Sequence, residues 1–329
     1  MNRYTGLLIL FLFLPPLEAC ASWQNHQNAP RLLASEPIEP KHVYTLARLV
    51  DEETQSIRYI MGVTKVNDTL LQVANAEPRE VYFQAVNLYG KISRLHHNLT
   101  ARSISDHDLP TTEQYICPAD VWAILAVVLA QLDEIKEEYG ITTCAPFPVV
   151  EENRVPTDVY QSLLLTIRQI NQMLQEQPYT HSDVYQEVST ALYCSLNIYN
   201  TLPGMQMQKM PVFQPSKTAE DVFAELIKTY QTTRNIMLTS GFKMLDLSTT
   251  VPSPDIKPGD IYDLAVLITS ELKFLHSKAA AEKNIHDAAY PGIKFPSHVL
   301  QRLIYLHNHL QIILKEVQKN PLWISGQQP

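Results

Sequence analysis

One phrase opens eight segments of this 329-residue chain, and its spacing constrains the fold more than any local motif does. The strong copies are Pro40-Lys-His-Val43-Tyr44, Pro78-Arg-Glu-Val81-Tyr82, Pro118-Ala-Asp-Val121-Trp122 and Pro156-Thr-Asp-Val159-Tyr160. Weaker copies lie at Val184-Tyr185, Val222-Phe223, Ile261-Tyr262 and Val299-Leu300. The Val or Ile markers advance by 38, 40 and 38 residues, then by 25, then by 38, 39 and 38. Positions 43, 81, 121 and 159 therefore recur 141, 141, 140 and 140 residues later. This spacing predicts an all-α fold: two tandem four-helix bundle-like domains from an internal duplication, with eight helices and long connectors. The expected boundaries are 39–178 and 179–320, followed by a tail at 321–329.

Each marker begins an apolar stripe. From Val121 it runs through Leu125, Val128, Leu132 and Ile135, and from Val299 through Leu303, Leu306, Leu310 and Ile313. Steps of four and three place these side chains on one helix face. A second apolar row beside most stripes widens the face to that of a bundle helix. The opening phrase has a local cause. Proline is tolerated in the first turn, where its missing N–H would have no intrahelical partner. Asp120, Asp158, Asp183, Asp221 and Asp260 put a carboxylate at the positive end of the helix dipole. The markers Val43 and Val81 and the aromatics Tyr44, Tyr82, Trp122, Tyr160, Tyr185, Phe223 and Tyr262 are expected to anchor the helix starts in the core. Capping and packing account for the phrase, so it is assigned no ligand.

The connectors are longer than bundle connections usually are, about 15 to 20 residues against 2 to 8. They include Thr142–Val155, Thr201–Lys217 and Thr239–Lys257. Fifteen extended residues reach about 50 Å, enough to return along a helix about 33 Å long. Parallel helices with returning connectors and antiparallel helices with surface loops are both compatible with this length.

The first twenty residues have the form of a targeting segment: Arg3, a short apolar core at Gly6–Leu14, then Pro15-Pro16 and Leu17-Glu18-Ala19-Cys20. The last four resemble the bacterial lipobox, although Glu18 stands where that motif usually has a small or uncharged residue. The resemblance implies cleavage before Cys20 and lipidation of its sulfur and new amine, with 1–19 as signal peptide and 20–38 as tether. Ala21 after the Cys then points to the outer membrane, facing the periplasm. Ala19-Cys20-Ala21 also reads as an ordinary secretory cleavage site, which would leave a soluble periplasmic or secreted protein.

Export places the remaining cysteines in an oxidising space. Cys117 and Cys144 are a candidate disulfide if the connector between them folds back, and Cys194 reads as a core residue. A net charge of −8 without clustered Lys or Arg excludes a nucleic-acid partner. His96-His97 and His307-Asn-His309 do not share helix faces, so no metal site is assigned. With nine glycines there is no Gly-rich phosphate loop, and no nucleophile elbow is present. The acidic runs Asp51-Glu52-Glu53 and Asp133-Glu134 with Glu137-Glu138 read as solvated faces. No catalytic residue or cofactor is assigned.

These features point to a non-enzymatic, lipid-anchored envelope protein that binds another envelope protein and meets the membrane only through its anchor. The alternatives are a periplasmic small-molecule or sensory domain and an enzyme whose site assembles across helices. Any site is expected where the halves differ or meet: near Pro178, in the long connectors, or on the helices from Val184 and Val222.

Overall fold

Each copy of the opening phrase starts a helix. The computed structural model describes residues 37–65, 71–102, 116–175, 178–202, 208–249, 256–279 and 287–321. The leader, Cys20, most of the tether and the tail beyond 321 lie outside these residues. The first half holds α1 (Pro40–Ile60), α2 (Pro78–Thr100), α3 (Pro118–Glu138) and α4 (Pro156–Met173). The second holds α5 (His181–Asn200), α6 (Ala219–Thr239), α7 (Pro258–Lys278) and α8 (Pro296–Lys319). Two short strands, β1 (Leu71–Ala74) and β2 (Asp246–Thr249), pair antiparallel, with Leu71 opposite Thr249 and Ala74 opposite Asp246. The fold is all-α apart from this ribbon, which the helical periodicity does not anticipate.

The residue before each Val or Ile marker accepts a hydrogen bond from the backbone N–H three positions earlier. Asp120 accepts from Cys117 at 2.7 Å, Asp158 from Val155 at 2.9 Å and Asp183 from Thr180 at 2.7 Å. Asp221 accepts from Thr218 and Asp260 from Lys257, both at 3.0 Å, and Glu80 from Glu77 at 2.6 Å. In α1 and α8 the acceptor is a ring nitrogen: Nδ1 of His42 at 3.1 Å and of His298 at 3.2 Å. Those imidazoles therefore carry their proton on Nε2. Every described helix thus satisfies its N-cap amide with one side chain.

Within each half the helices run parallel. Residues at similar depth from the helix start meet: Ser93 with Gln131 and His96 with Glu134 between α2 and α3, and Glu225 with His307 between α6 and α8. In the first half α1 and α2 each pack against α3 and α4, and in the second α5 and α6 each pack against α7 and α8. Sequence neighbours α1 and α2 therefore stand diagonally across the bundle, as do α3 and α4.

The parallel arrangement makes each connector travel back the length of a bundle. The connector after α3 descends along α1: Ala145 N–H donates to Glu53 at 2.8 Å, Arg48 meets Glu151 at 3.1 Å, and Lys41 meets Glu152 at 2.7 Å. Its counterpart after α7 descends along α5, from Ala288 at Thr190 to Lys294 at Ser182. The connectors after α1 and α5 end alike. Ala76 N–H donates to Thr157 Oγ1 at 3.0 Å, and Lys217 N–H to Ser297 Oγ at 3.1 Å. The preceding residues, Asn75 and Ser216, both have φ near 60° (58° and 61°).

Glu53 corrects one reading of the acidic runs. It is fully buried and ion-paired with the equally buried Lys136 of α3, so this member of the Asp51-Glu52-Glu53 run ties two helices and a connector together. Glu134, Glu137 and Glu138 are exposed.

The capping geometry makes a direct prediction. Asp158→Ala leaves the Val155 amide without its acceptor and should lower stability by about 1 kcal/mol. Urea unfolding followed by circular dichroism measures this, and an unchanged midpoint would count against the capping role.

Candidate functional site

The two bundles meet side by side and point in opposite directions. Arg79, at the start of α2, reaches Glu271 late in α7 at 3.1 Å, whereas Asn87 and Lys91, further along α2, meet Asp263 early in α7. Helix α7 lies in the groove between α2 and α4. Apolar side chains of both halves form one contiguous core, but the groove itself is lined by charge.

At one end of this groove Lys91 is completely buried. Its ammonium donates to Asn171 Oδ1 at 2.6 Å and pairs with Asp263 Oδ1 at 2.9 Å. It also sits over the Tyr179 ring, 4.0 Å from the centroid, and Tyr179 stacks on Tyr262 at 4.2 Å. Asn87 and Asn171 donate to the two oxygens of Asp263 at 2.9 and 2.8 Å. Arg168 pairs with Asp260 at 3.0 Å. Burial pushes the Lys91 ammonium below its usual range, opposed by the Asp263 carboxylate. Burial raises Asp260, opposed by Arg168. Gly259 makes the close approach possible, since a Cβ there would lie 2.9 Å from Asn171 Cγ.

At the other end two carboxyl groups share one arginine. Glu80 and Glu271 are both fully buried, and Arg79 Nη2 lies 3.4 Å from the first and 3.1 Å from the second. Glu80 also accepts the Leu245 N–H at 2.6 Å, and Leu245 O accepts the buried Tyr230 hydroxyl at 2.8 Å. Burial, opposed by Arg79 and reinforced by the Glu80 carboxylate, pushes Glu271 up to about 8. Burial raises Glu80 as well. The two clusters tie the bundles together through buried polar contacts, ion-paired at Lys91–Asp263 and Arg168–Asp260.

Two concavities accompany the groove. At the start of the first bundle, Pro40, Pro78, Pro118 and Pro156 surround Val43, Val81, Val121 and Val159 in an apolar dimple of about 30 Å³. The opening phrase, to which the sequence reading assigns no ligand, builds this feature. The second bundle has His181 and Ala219 where two of the four prolines would stand. A polar pocket of about 300 Å³ lies between α6 and β2, lined by Tyr230, Gln231, Arg234, Asn235, Asp246 and Leu247. Its charged groups already engage each other, Arg234 with Asp246 at 3.4 Å.

The helix-start residues fall into two sets. Val43, Val81, Tyr82, Trp122, Tyr160 and Phe223 are buried in the core. Tyr44, Tyr185 and Tyr262 are half-buried and receive cations on their rings: Arg154 on Tyr44, Arg302 and Lys294 on Tyr185, and Lys91 on Tyr262. Asp260 and Tyr262 thus belong both to a helix start and to the groove. No disulfide joins Cys117 to Cys144. Cys117 is exposed at the N-cap of α3, whereas Cys144 precedes Ala145 beside Glu53, well along α1 from that end. Burial raises the Cys194 thiol to about 12, and it packs as a core residue. The histidines are engaged separately: His96 with Glu134, His307 with Glu225, and His309 with the Tyr305 carbonyl. Among the described residues no group of three or more His, Cys, Asp or Glu is placed to hold a metal ion.

No protein family, curated protein or solved structure matches the chain.

Two measurements test the groove. Lys91→Met leaves Asp263 buried without its cation and should cost about 3–5 kcal/mol, part of which Asp263→Leu in the same chain should restore. The pH dependence follows from Glu271. Its carboxyl is raised from an ordinary value near 4.5 to about 8, so between these values the folded chain holds a proton that the unfolded chain releases. Its contribution is complete below about 4.5 and falls by up to about 1.4 kcal/mol per pH unit as pH rises toward 8. Urea unfolding from pH 5 to 8 should show the parent losing stability relative to Glu271→Gln, and parallel curves would refute the assignment.

Proposed function

We propose that the protein is an exported, lipid-anchored component of a bacterial cell envelope that docks another envelope protein without catalysing a reaction. The observation that carries this reading is the proline-rimmed end of the first bundle. Four prolines and four valines from four separate helices converge there, and the surface they line is apolar. A dimple of about 30 Å³ accepts the tip of one apolar side chain, whereas metabolite pockets run from about 300 Å³ upward. Val155 and Cys117, both exposed, extend this surface at two helix caps. The lipobox-like Leu17-Glu18-Ala19-Cys20 supports anchoring through Cys20, and the tether joins the body at Pro40, on the rim itself. Ala21 favours the periplasmic face of the outer membrane.

A second reading, a small-molecule or sensory domain, draws on the pocket of about 300 Å³ beside β2. Its volume reaches the lower limit for a ligand site. The Arg234–Asp246 pair neutralises its strongest recognition groups, so docking is the better-supported function.

The test is photo-cross-linking in the native envelope from a reactive residue introduced at Ala119, which is exposed beside Pro118. One adduct of discrete mass is expected. Val155→Asp should abolish it without loss of helicity, because Asp is a favourable N-cap residue. Recovery of monomer alone from Ala119, or an adduct indifferent to Val155→Asp, would overturn the reading.

A further inference from the structure

The β1–β2 ribbon has two strands, so each strand keeps one outer edge, and the two edges are treated differently. In an antiparallel pair, alternate residues direct both N–H and C=O away from the partner strand. Val73 is such a residue. Its carbonyl accepts Gln161 Nε2 of α4 at 3.4 Å, and Leu247 stands opposite it. Leu247 therefore directs its own N–H and C=O away from β1, as Leu245 does two residues before it. The Leu245 N–H donates to Glu80 at 2.6 Å, and its carbonyl accepts Tyr230 Oη at 2.8 Å and Arg234 Nε at 3.1 Å. The outer edge of β2 thus faces α6, and side chains close it at Leu245.

At Leu247 the edge is open. Strand and helix part there and leave the polar pocket of about 300 Å³, with Tyr230, Gln231, Arg234 and Asn235 on the α6 wall and Asp246 and Leu247 on the strand wall. No hydrogen bond from a described residue reaches the outward N–H or C=O of Leu247. Across the pocket Gln231 and Asn235 are exposed, and their side-chain amides make no hydrogen bond to a described residue. The β1 edge shows the closed form of the same arrangement, with the Gln161 amide directly on the outward carbonyl of Val73. On the β2 edge the amides stand a pocket's width away from the groups they would meet.

The two walls select the occupant. Leu247 presents one donor and one acceptor, and each side-chain amide presents both, so the recognition groups are neutral. The charged lining residues, Arg234 and Asp246, pair with each other at 3.4 Å and leave no net charge for an ionic ligand. Strand β2 returns along α6, from Phe242 at Met237 to Leu245 at Arg234 and Tyr230, so the row of amides and the strand edge are aligned. Gln231 and Asn235, four residues apart, stand about 6 Å apart along the helix. An extended chain repeats every two residues, about 6.6–6.8 Å. Peptide main chain therefore supplies donors and acceptors to both walls at the spacing they require.

We propose that the groove between α6 and β2 docks an extended peptide segment of a partner protein, which adds to the outer edge of β2 as a third strand and meets Gln231 and Asn235 with its other edge. Main-chain hydrogen bonds supply the affinity in this mode of recognition, and an open strand edge is the template it needs. The four residues of β2 cover about 13 Å at about 3.3 Å per residue, so a segment of about four residues fills the groove. Proline is excluded where the segment faces Leu247, because it has no N–H to donate. The groove uses none of the residues of the proline-rimmed dimple and stands independently of docking there.

The test is selection from a phage-displayed library of random heptapeptides on the full chain, after depletion on the Gln231→Ala/Asn235→Ala double variant. Both positions are exposed, so the variant should keep the parental circular dichroism. Depletion removes peptides that bind elsewhere, the dimple included. A surviving peptide, labelled for fluorescence anisotropy, should bind the parent about tenfold more tightly than the variant, the loss expected for two neutral hydrogen bonds. N-methylation of alternate residues should weaken it by about tenfold or more in one of the two registers, because that register supplies the N–H facing β2. Bound peptide should also slow hydrogen exchange of the Leu247 amide. No surviving peptide, tolerance of both methylated registers, or unchanged exchange at Leu247 overturns the proposal.

Discussion

Parallel alignment of four helices is the constraint on which the rest of this structure depends. Each helix start carries roughly half a positive charge together with unpaired amides, and a parallel bundle gathers four such starts at one end. The side chain before each marker answers this locally by taking an amide proton. Five of these acceptors are aspartates and one is Glu80. The packing of the bundles answers it globally, because α7 runs opposite to α2 and α4 and the two sets of dipoles oppose each other. The same alignment requires the long connectors, since a chain that leaves a helix at the far end must return before it can begin the next.

The charged groove between the bundles has a different physical meaning. Buried ion pairs often contribute little net stability compared with apolar packing, yet leaving one partner alone is costly. Lys91, Asp263, Asn171 and Asn87 satisfy one another only in a single register of α2 against α7. A displacement by one turn would strand an ammonium and a carboxylate in the core. The groove therefore selects one arrangement of two bundles whose remaining contacts are apolar and less discriminating.

How much of this was legible in the sequence follows from what periodicity encodes. The 38-to-40-residue spacing marked each helix start, and the acidic residue before the marker pointed to capping. Helix direction was not encoded, because every helix opens alike whichever way it runs. The groove left a signal that apolar stripes conceal. Glu80, Gln84, Asn87 and Lys91 follow steps of four, three and four along α2, and Asp260, Asp263 and Glu271 follow helical spacing along α7. Polar residues in helical register look like a solvated face until a second helix covers them, and Glu53 was misread for the same reason. The ribbon of β1 and β2 was invisible because its strands are four residues each and pair across the halves. The dimple arose from the convergence of four chain segments that no local window contains.

The diagonal placement of α1 and α2 bears on how the chain reaches this state. Most small helical bundles zip adjacent helices together and fold quickly because their contacts are local. Here α1 finds its main partners only in α3 and α4, after the chain has passed through α2 and back. The segment made first would wait, its apolar face uncovered, for residues 78 positions further on in α3 and 116 further on in α4, counted between the Val markers. For an all-helical protein the search resembles that of a β-sandwich, and the interval before closure is when a chaperone or a neighbouring chain has access to α1.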